Sequence, residues 1–115
     1  MHEMGIVLEI IKIASESVPK EAKGAVIKQI NLEIGKLSAI MPESLMFCFD
    51  VASKETAVAG ATLNIEVIPV MAKCKDCGAK WEITGPTFVC QACESGSIDI
   101  LSGREMDIKS IEILN

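Results

Sequence analysis

Two Cys-x-x-Cys pairs, Cys74–Cys77 and Cys90–Cys93, are separated by twelve residues in the second half of this chain. They lie in a segment, 71–103, in which large apolar side chains are sparse. About thirty residues of this kind cannot bury enough apolar surface to fold on their own. Something other than a hydrophobic core must therefore hold this segment together.

The spacing within and between the two pairs is typical of a metal site. Two intervening residues let both sulfurs of a turn point at one ion, and two such turns supply four thiolates at the corners of a tetrahedron. Gly78, directly after the first pair, provides the permissive backbone that such turns use. Four thiolates leave no position for water, so we predict a structural zinc rather than a hydrolytic one. Mononuclear iron and a redox-active dithiol pair are the alternatives for this ligand set.

Nearby lysines and the fifth cysteine each have two interpretations. Lys73, Lys75 and Lys80 are close enough in sequence to offset the negative charge of four thiolates, but they could equally be ordinary solvated lysines. Cys48 stands apart, on a predicted helix. A lone thiol there is expected to be a small core residue rather than a ligand or a nucleophile.

The rest of the chain shows the alternating periods of an α+β (α/β-type) domain. Apolar residues recur at helical spacing in some segments and alternate with polar residues in others, and prolines mark several of the boundaries. These patterns predict, in chain order, a helix over 4–18, a strand over 25–35, a helix from 42 to about 54, a strand between 60 and 69, and a strand over 104–114. We therefore predict one main domain formed by 1–70 with 104–115, into which 71–103 is inserted as a small zinc-ribbon domain with four cysteine ligands.

Composition narrows the classes of function. Half of the residues are hydrophobic, yet charged residues such as Glu9, Lys12 and Glu16 interrupt even the most apolar segment, so we expect no membrane span. No basic residue precedes Lys12, unlike in a secretory signal, and we expect a cytoplasmic protein. With 16 acidic against 11 basic residues, nucleic acid is a disfavoured partner.

The single histidine, His2, is the second residue of the chain, where a histidine is often structural or disordered. Its neighbours permit another interpretation. The amine of Met1, the amide and imidazole of His2 and the amide of Glu3 can surround one cation with a square of four nitrogens, which favours Ni(II) or Cu(II). The carboxylate of Glu3 is an outer ligand in that arrangement, or simply an acidic residue that stabilises the start of the first helix.

In order and spacing, these motifs resemble the HypA nickel-insertion proteins of [NiFe]-hydrogenase maturation. The resemblance is carried by Met1–Met4, Leu32–Ser38, Pro42–Leu45 with Phe47 and Phe49, the two cysteine pairs, and Gly103–Met106 leading to Ile111 and Glu112. One departure is Gln91, which stands where relatives often carry proline. Because the thiol spacing is unchanged, we expect this to alter the stiffness of the turn more than ligation.

The resemblance implies a nickel domain of two helices on a three-stranded mixed sheet, with the zinc domain inserted before its last strand. It implies that Ni(2+) binds at Met1, His2 and Glu3, with His2 as the key ligand. It also implies that Cys74, Cys77, Cys90 and Cys93 bind Zn(2+). The resemblance further implies a metallochaperone that is not an enzyme and that works with the HypB GTPase to deliver nickel to the hydrogenase large subunit. We expect a monomer or a weak homodimer.

Two other functions use the same residues. A zinc ribbon that binds proteins or nucleic acid, without a nickel role, would need only the four cysteines. Only four residues are Phe or Trp and none is Tyr, which argues against the stacking surface that nucleic acid requires. A zinc hydrolase conflicts with the closed thiolate set and the lone terminal histidine. A dithiol oxidoreductase would be revealed by reactive thiols in the metal-loaded protein.

Overall fold

The computed structural model describes every residue except Met1, Lys23 and Asn115, and it describes His2 by its backbone alone. Its helices are α1 (His2–Glu16) and α2 (Pro42–Ala52), and its strands are β1 (Val26–Gly35), β2 (Thr62–Ile68), β3 (Val70–Cys74), β4 (Lys80–Ile83), β5 (Ile98–Ser102) and β6 (Met106–Leu114). The strands form two three-stranded sheets, in the orders β2-β1-β6 and β4-β3-β5. None of the helices in the described residues is long and apolar enough to cross a membrane.

The chain divides into two compact units. The second unit consists of Ile34–Ala39 and Val67–Met106, and the first unit contains the other described residues, including both α-helices. The end of β1 thus belongs to the same compact unit as the cysteine pairs.

The core of the first unit is built from one face of each element. Helix α1 buries residues at intervals of three and four, which places them on one stripe of the helix. Helix α2 begins at Pro42, whose missing N–H suits a first helical turn. The buried apolar residues of this unit are Val7, Ile10, Ile11, Ala14, Ile27, Ile30, Leu32, Leu45, Phe49, Val58 and Leu63.

Side-chain pairs along β1 and β6 show that these strands are antiparallel. Asn31 donates a hydrogen bond to Ser110 Oγ (2.9 Å), and Gln29 donates one to Glu112 Oε2 (3.1 Å). Residue numbers therefore fall along one strand as they rise along the other.

Along β1 and β2, by contrast, the residue numbers of the contacting side chains increase in the same direction. Asn64 donates to Asn31 Oδ1 (3.1 Å), and Lys109 Nζ lies 3.9 Å from Glu33 Oε2 and 3.7 Å from Glu66 Oε1. Asn31 thus approaches Asn64, and Glu33 shares a cation with Glu66, which is the order expected of parallel strands. The three-stranded sheet is mixed, as the sequence analysis predicted.

Some apolar residues lie on faces that the sequence pattern did not predict. Val26 shares its parity with the buried residues of β1 but is 58% exposed, whereas Ile27 is buried. The inward face of the strand therefore changes between Ile27 and Ile30, which a strict alternation cannot represent. Leu8 of α1 and Met46 of α2 are also exposed, although each is an apolar residue of an amphipathic helix.

The second sheet has a small core of Val70, Ala72 and Ile83, against which Trp81, Ile98 and Ile100 pack. Strand β3 lies in the middle and pairs antiparallel with β4 and β5. These short strands are the framework that carries the two cysteine pairs.

A close backbone contact joins the end of β1 to the segment after β5. A Cβ atom on Gly35 would lie 2.0 Å from the carbonyl of Gly103, so only glycine fits there. The Gly35 N–H donates to Glu105 O and the Leu37 N–H donates to Gly103 O, each at 2.8 Å. This contact fixes Ile34–Ala39 within the second unit.

Candidate metal centre

The four cysteines of the two pairs converge on one point at one end of the second sheet. Their Sγ atoms all lie within 4.8 Å of one another, with Cys74 Sγ 3.5 Å from Cys93 Sγ and Cys77 Sγ 3.6 Å from Cys90 Sγ. A tetrahedral zinc with bonds of ~2.3 Å separates its sulfurs by ~3.8 Å. A disulfide needs ~2.05 Å, so the four thiols are free and their arrangement fits a tetrathiolate zinc site.

The two turns that present the thiols are built alike. Each first cysteine, Cys74 or Cys90, accepts a hydrogen bond at its carbonyl from the residue four positions later, at 3.0 Å from Gly78 and 2.7 Å from Glu94. Those two residues have left-handed backbone, with φ of 79° and 63°. The shared geometry explains why two residues separate the cysteines of each pair.

Hydrogen bonds beyond each turn repeat as well. The N–H of Cys74 donates to Ala79 O (2.8 Å), and the N–H of Cys90 donates to Ser95 O (2.9 Å). Ser95 Oγ also donates to the carboxylate of Asp76, which connects the second turn to the first. This hydrogen bond, between exposed side chains, links the two turns directly.

The backbone of the first turn prepares one thiol for ionisation. The N–H of Cys77 donates to Cys74 Sγ (3.4 Å), and this hydrogen bond is the main reason that the pKa of Cys74 falls to about 7. The backbone N–H of Ser95 likewise lowers the pKa of Cys93. The hydrogen bond with Cys74 and burial outweigh that effect, and they raise the pKa of Cys93 to about 12. The pKa of Cys77 is also raised, because interaction with Cys90 and burial outweigh the hydrogen bond from the backbone of Ala79. A negative charge on one sulfur thus opposes ionisation of the others, because the four sulfurs lie close together.

The nearby lysines are held by carboxylates or lie at the surface. Lys75 Nζ is 3.5 Å from Asp99 Oδ1, with both side chains more than half exposed. Lys73 stands opposite Lys80 on β4 and opposite Asp99 on β5. Asp99 therefore offsets the repulsion between two like charges in facing positions, which favours the interpretation of these lysines as solvated residues.

The predicted nickel ligands are only partly within the described residues. Met1 and the side chain of His2 lie outside them. Glu3 is half-buried in the first turn of α1, where its charge stabilises the helix start. Its side chain lines a cleft of about 420 Å³ with Met4 and with four residues of α2, namely Glu43, Ser44, Phe47 and Cys48.

Cys48 is not the buried core residue that the sequence analysis predicted. It is half-exposed and borders the cleft, since the stripe of α2 that faces the core is centred on Leu45 and Phe49. The sequence analysis did not predict this cleft. Phe47 could have indicated it, because it is a large apolar residue outside the stripe of α2 that faces the core.

Comparison with known proteins agrees with this architecture. Residues 1–113 match the family model for "Hydrogenase/urease nickel incorporation, metallochaperone, hypA". Over 113 residues the chain is 50% identical to hydrogenase maturation factor HypA of Desulfosudis oleivorans, covering 98% of each chain. It is 47% identical to the protein of the same name from a Nostoc species, covering 98% of this chain and 96% of the relative.

Solved structures show the same fold. The solution structure of the Ni metallochaperone HypA from Helicobacter pylori matches with a TM-score of 0.62 and 28% identity over 97% of each chain. A second solution structure of a HypA protein matches with a TM-score of 0.71 and 29% identity, over 99% of this chain and 97% of that one. The inserted module with four converging cysteines, the mixed sheet and these matches together show that the chain belongs to the HypA family of nickel metallochaperones, the maturation factors of hydrogenases.

Proposed function

We propose that this chain binds Ni(II) at its amino terminus and delivers it to the large subunit of [NiFe]-hydrogenase in cooperation with the HypB GTPase. Met1 provides the amine, His2 the amide and imidazole, and Glu3 an amide or carboxylate. Cys74, Cys77, Cys90 and Cys93 hold a structural zinc. Nickel is the cargo in this scheme, and the chain performs no catalytic step on it.

Family membership over the whole chain is the observation that carries this proposal. The family match begins at residue 1, so the Met-His-Glu start falls within it. The cysteine cluster supports a separate zinc site, because four soft sulfur ligands in a tetrahedron suit zinc. Ni(II) is instead favoured by the square of nitrogen ligands proposed at the amino terminus. Two metals with different ligand types are thus kept at separate positions.

The nickel part is tested at the amino terminus. Adding two residues before Met1 removes the terminal amine from the chelate, and His2→Ala removes the imidazole. We expect each change to weaken nickel affinity, measured by calorimetry, at least tenfold, while the zinc content and the circular dichroism spectrum stay unchanged. Intact-mass spectrometry, with and without nickel, confirms that Met1 is the first residue and gives the stoichiometry.

A Lys12→Ala variant is the matched control, because Lys12 is exposed on the same helix and offers no ligand to the proposed site. Nickel affinity that is unchanged in both the extended and the His2→Ala protein would exclude terminal chelation. Loss of zinc with His2→Ala would show that the two sites are not separate.

The alternative function, a zinc-ribbon interaction module without a nickel role, has a single exposed aromatic side chain in the second unit, Phe88 at 42% exposed, which is too little for a stacking surface. Trp81 is half-buried against the core of the second sheet and is not part of an exposed stacking surface. We therefore retain the nickel metallochaperone as the proposed function.

A further inference from the structure

An apolar cleft lies between the start of α1 and the first half of α2, within the first unit. Met4, Phe47 and Cys48 contribute its apolar lining, and Glu3 and Glu43 border it. Its volume of about 420 Å³ is enough for one or two side chains of another protein.

The apolar surface continues beyond the cleft along both helices. Phe47 is 70% exposed, the largest exposed fraction of the large hydrophobic residues described. Leu8, one turn after Met4 on α1, is 55% exposed, and Val51, one turn after Phe47 on α2, is 51% exposed. Single exposed apolar residues are ordinary, but an aromatic side chain beside a cleft and other apolar residues marks an interaction surface.

The two charged residues that line the cleft, Glu3 and Glu43, are both acidic. Among the described residues, no lysine or arginine forms an ion pair with Glu3 or Glu43; the ion pairs present involve only Lys75 and Lys109. Helix α2 carries Glu43 and Asp50 but no lysine or arginine. An occupant that placed an acidic group here would meet two carboxylates, whereas a basic group would find partners for charge-assisted hydrogen bonds.

We propose that this cleft is a docking site for a segment of a partner protein that inserts an apolar side chain beside Phe47 and places lysine or arginine against Glu3 and Glu43. The role of the docked segment rests on the proposed function, because Glu3 belongs to both surfaces. A partner bound there has its basic residues next to the amino terminus from which nickel is transferred.

Two synthetic amphipathic peptides test the chemistry of the site. They share the same leucines, and the flanking positions are lysine in one and glutamate in the other. In titrations followed by the amide resonances of α2, we expect the lysine peptide to bind with affinity that falls as salt increases. Phe47→Ala and Glu43→Gln should each weaken it at least fivefold, and the glutamate peptide should not shift these resonances.

Leu101→Ala is the matched control, because Leu101 is also an exposed apolar residue, at 51%, but lies in the second unit. Equal binding of both peptides, or no effect of Phe47→Ala, would overturn the proposal. Self-association in sedimentation velocity that Phe47→Ala abolishes would also overturn it, since a second copy would then be the occupant.

A photo-crosslinking residue at position 47 identifies the natural partner in cells that make hydrogenase. We expect crosslinks to one segment with an apolar residue flanked by lysine or arginine, and crosslinks only to acidic segments would contradict the charge argument. Nickel titrations distinguish docking in the cleft from nickel binding at the amino terminus. Phe47→Ala should leave nickel affinity unchanged, and the amino-terminal extension should weaken nickel affinity while preserving affinity for the lysine peptide.

Discussion

At the scale of single residues, the two cysteine turns differ in one chemically important position. Gly78 and Glu94 occupy equivalent left-handed positions, but only Gly78 adopts that backbone without steric cost. A residue with a Cβ atom pays about 1 kcal/mol or more there. The second turn is therefore the more strained of the two.

We expect Glu94→Gly to stabilise the zinc-loaded protein by about 0.5–1 kcal/mol, since relief of strain exceeds the added entropy of glycine in the unfolded chain. Gly78→Ala should destabilise it by a similar amount. Both are measured by denaturant unfolding. Glu82→Gly, at an exposed position of β4, is the control and should be destabilising. A destabilising Glu94→Gly would show that the glutamate side chain outweighs the backbone strain.

The ionisation of the thiols predicts how zinc binding depends on pH. The pKa of Cys93 is about 12 and that of Cys77 is raised above 9.0, so both thiols carry protons near pH 7 before the metal binds. Zinc binds thiolates, and its uptake must therefore release at least two protons. Affinity should fall by about 100-fold or more for each unit by which the pH drops below 7. Calorimetry in buffers of different ionisation enthalpy counts the protons, and release of one or none would contradict this picture.

At the scale of the elements, the end of β1 depends on a backbone contact between two glycines. The carbonyl of Gly103 occupies the space that a Cβ atom of Gly35 would need. Gly103 itself has φ of 115° and lies against Val70. A larger residue at Gly35 needs a shift of the main chain, whereas one at Gly103 would strain the backbone and crowd the Val70 side chain at 2.9 Å.

Gly35→Ala should therefore destabilise the protein by roughly 2–3 kcal/mol, the usual cost of overpacking a site that cannot relax. Gly85→Ala is the matched control, because a Cβ atom at Gly85 has no neighbour within 4 Å and its φ is not left-handed. Urea unfolding of the two variants makes the comparison. Equal stability of both would mean that the main chain moves apart at little cost.

The helices and the long strands could be predicted from sequence because each repeats its apolar period over seven or more residues. Helix α1 begins and ends within two residues of the predicted bounds. The short strands β4 and β5 could not be predicted, because four or five residues with few apolar side chains carry no clear period. The convergence of the four cysteines follows from their spacing, whereas the cleft beside Phe47 depends on how α1 packs against α2.

At the scale of the whole molecule, the two units differ in what stabilises them. The first unit buries an apolar core drawn from both helices and from β1 and β2, whereas the buried apolar cluster of the second sheet is Val70, Ala72 and Ile83. Structural zinc contributes about 10–16 kcal/mol in small peptides. The fold of the second unit should therefore depend on metal far more than that of the first.

Removing zinc with a chelator should expose the amides of β3, β4 and β5 to hydrogen exchange while α1 and α2 stay protected. Cys74→Ser should give the same pattern, because it removes one of the four ligands. Cys48→Ser is the control, since Cys48 lies outside the cluster and its loss should leave zinc in place. Hydrogen-exchange mass spectrometry makes the measurement. Exchange in α1 as fast as in β3 would show that the two units unfold together.

The contact between Gly35 and Gly103 also limits how the zinc module can be transplanted. A peptide cut at 67 and 106 contains all four cysteines, but it lacks the N–H groups of Gly35 and Leu37 that bond to Glu105 and Gly103. The minimal transferable module is therefore discontinuous in sequence. A graft into another scaffold must supply Ile34–Ala39 as well, either through a linker or as a separate peptide.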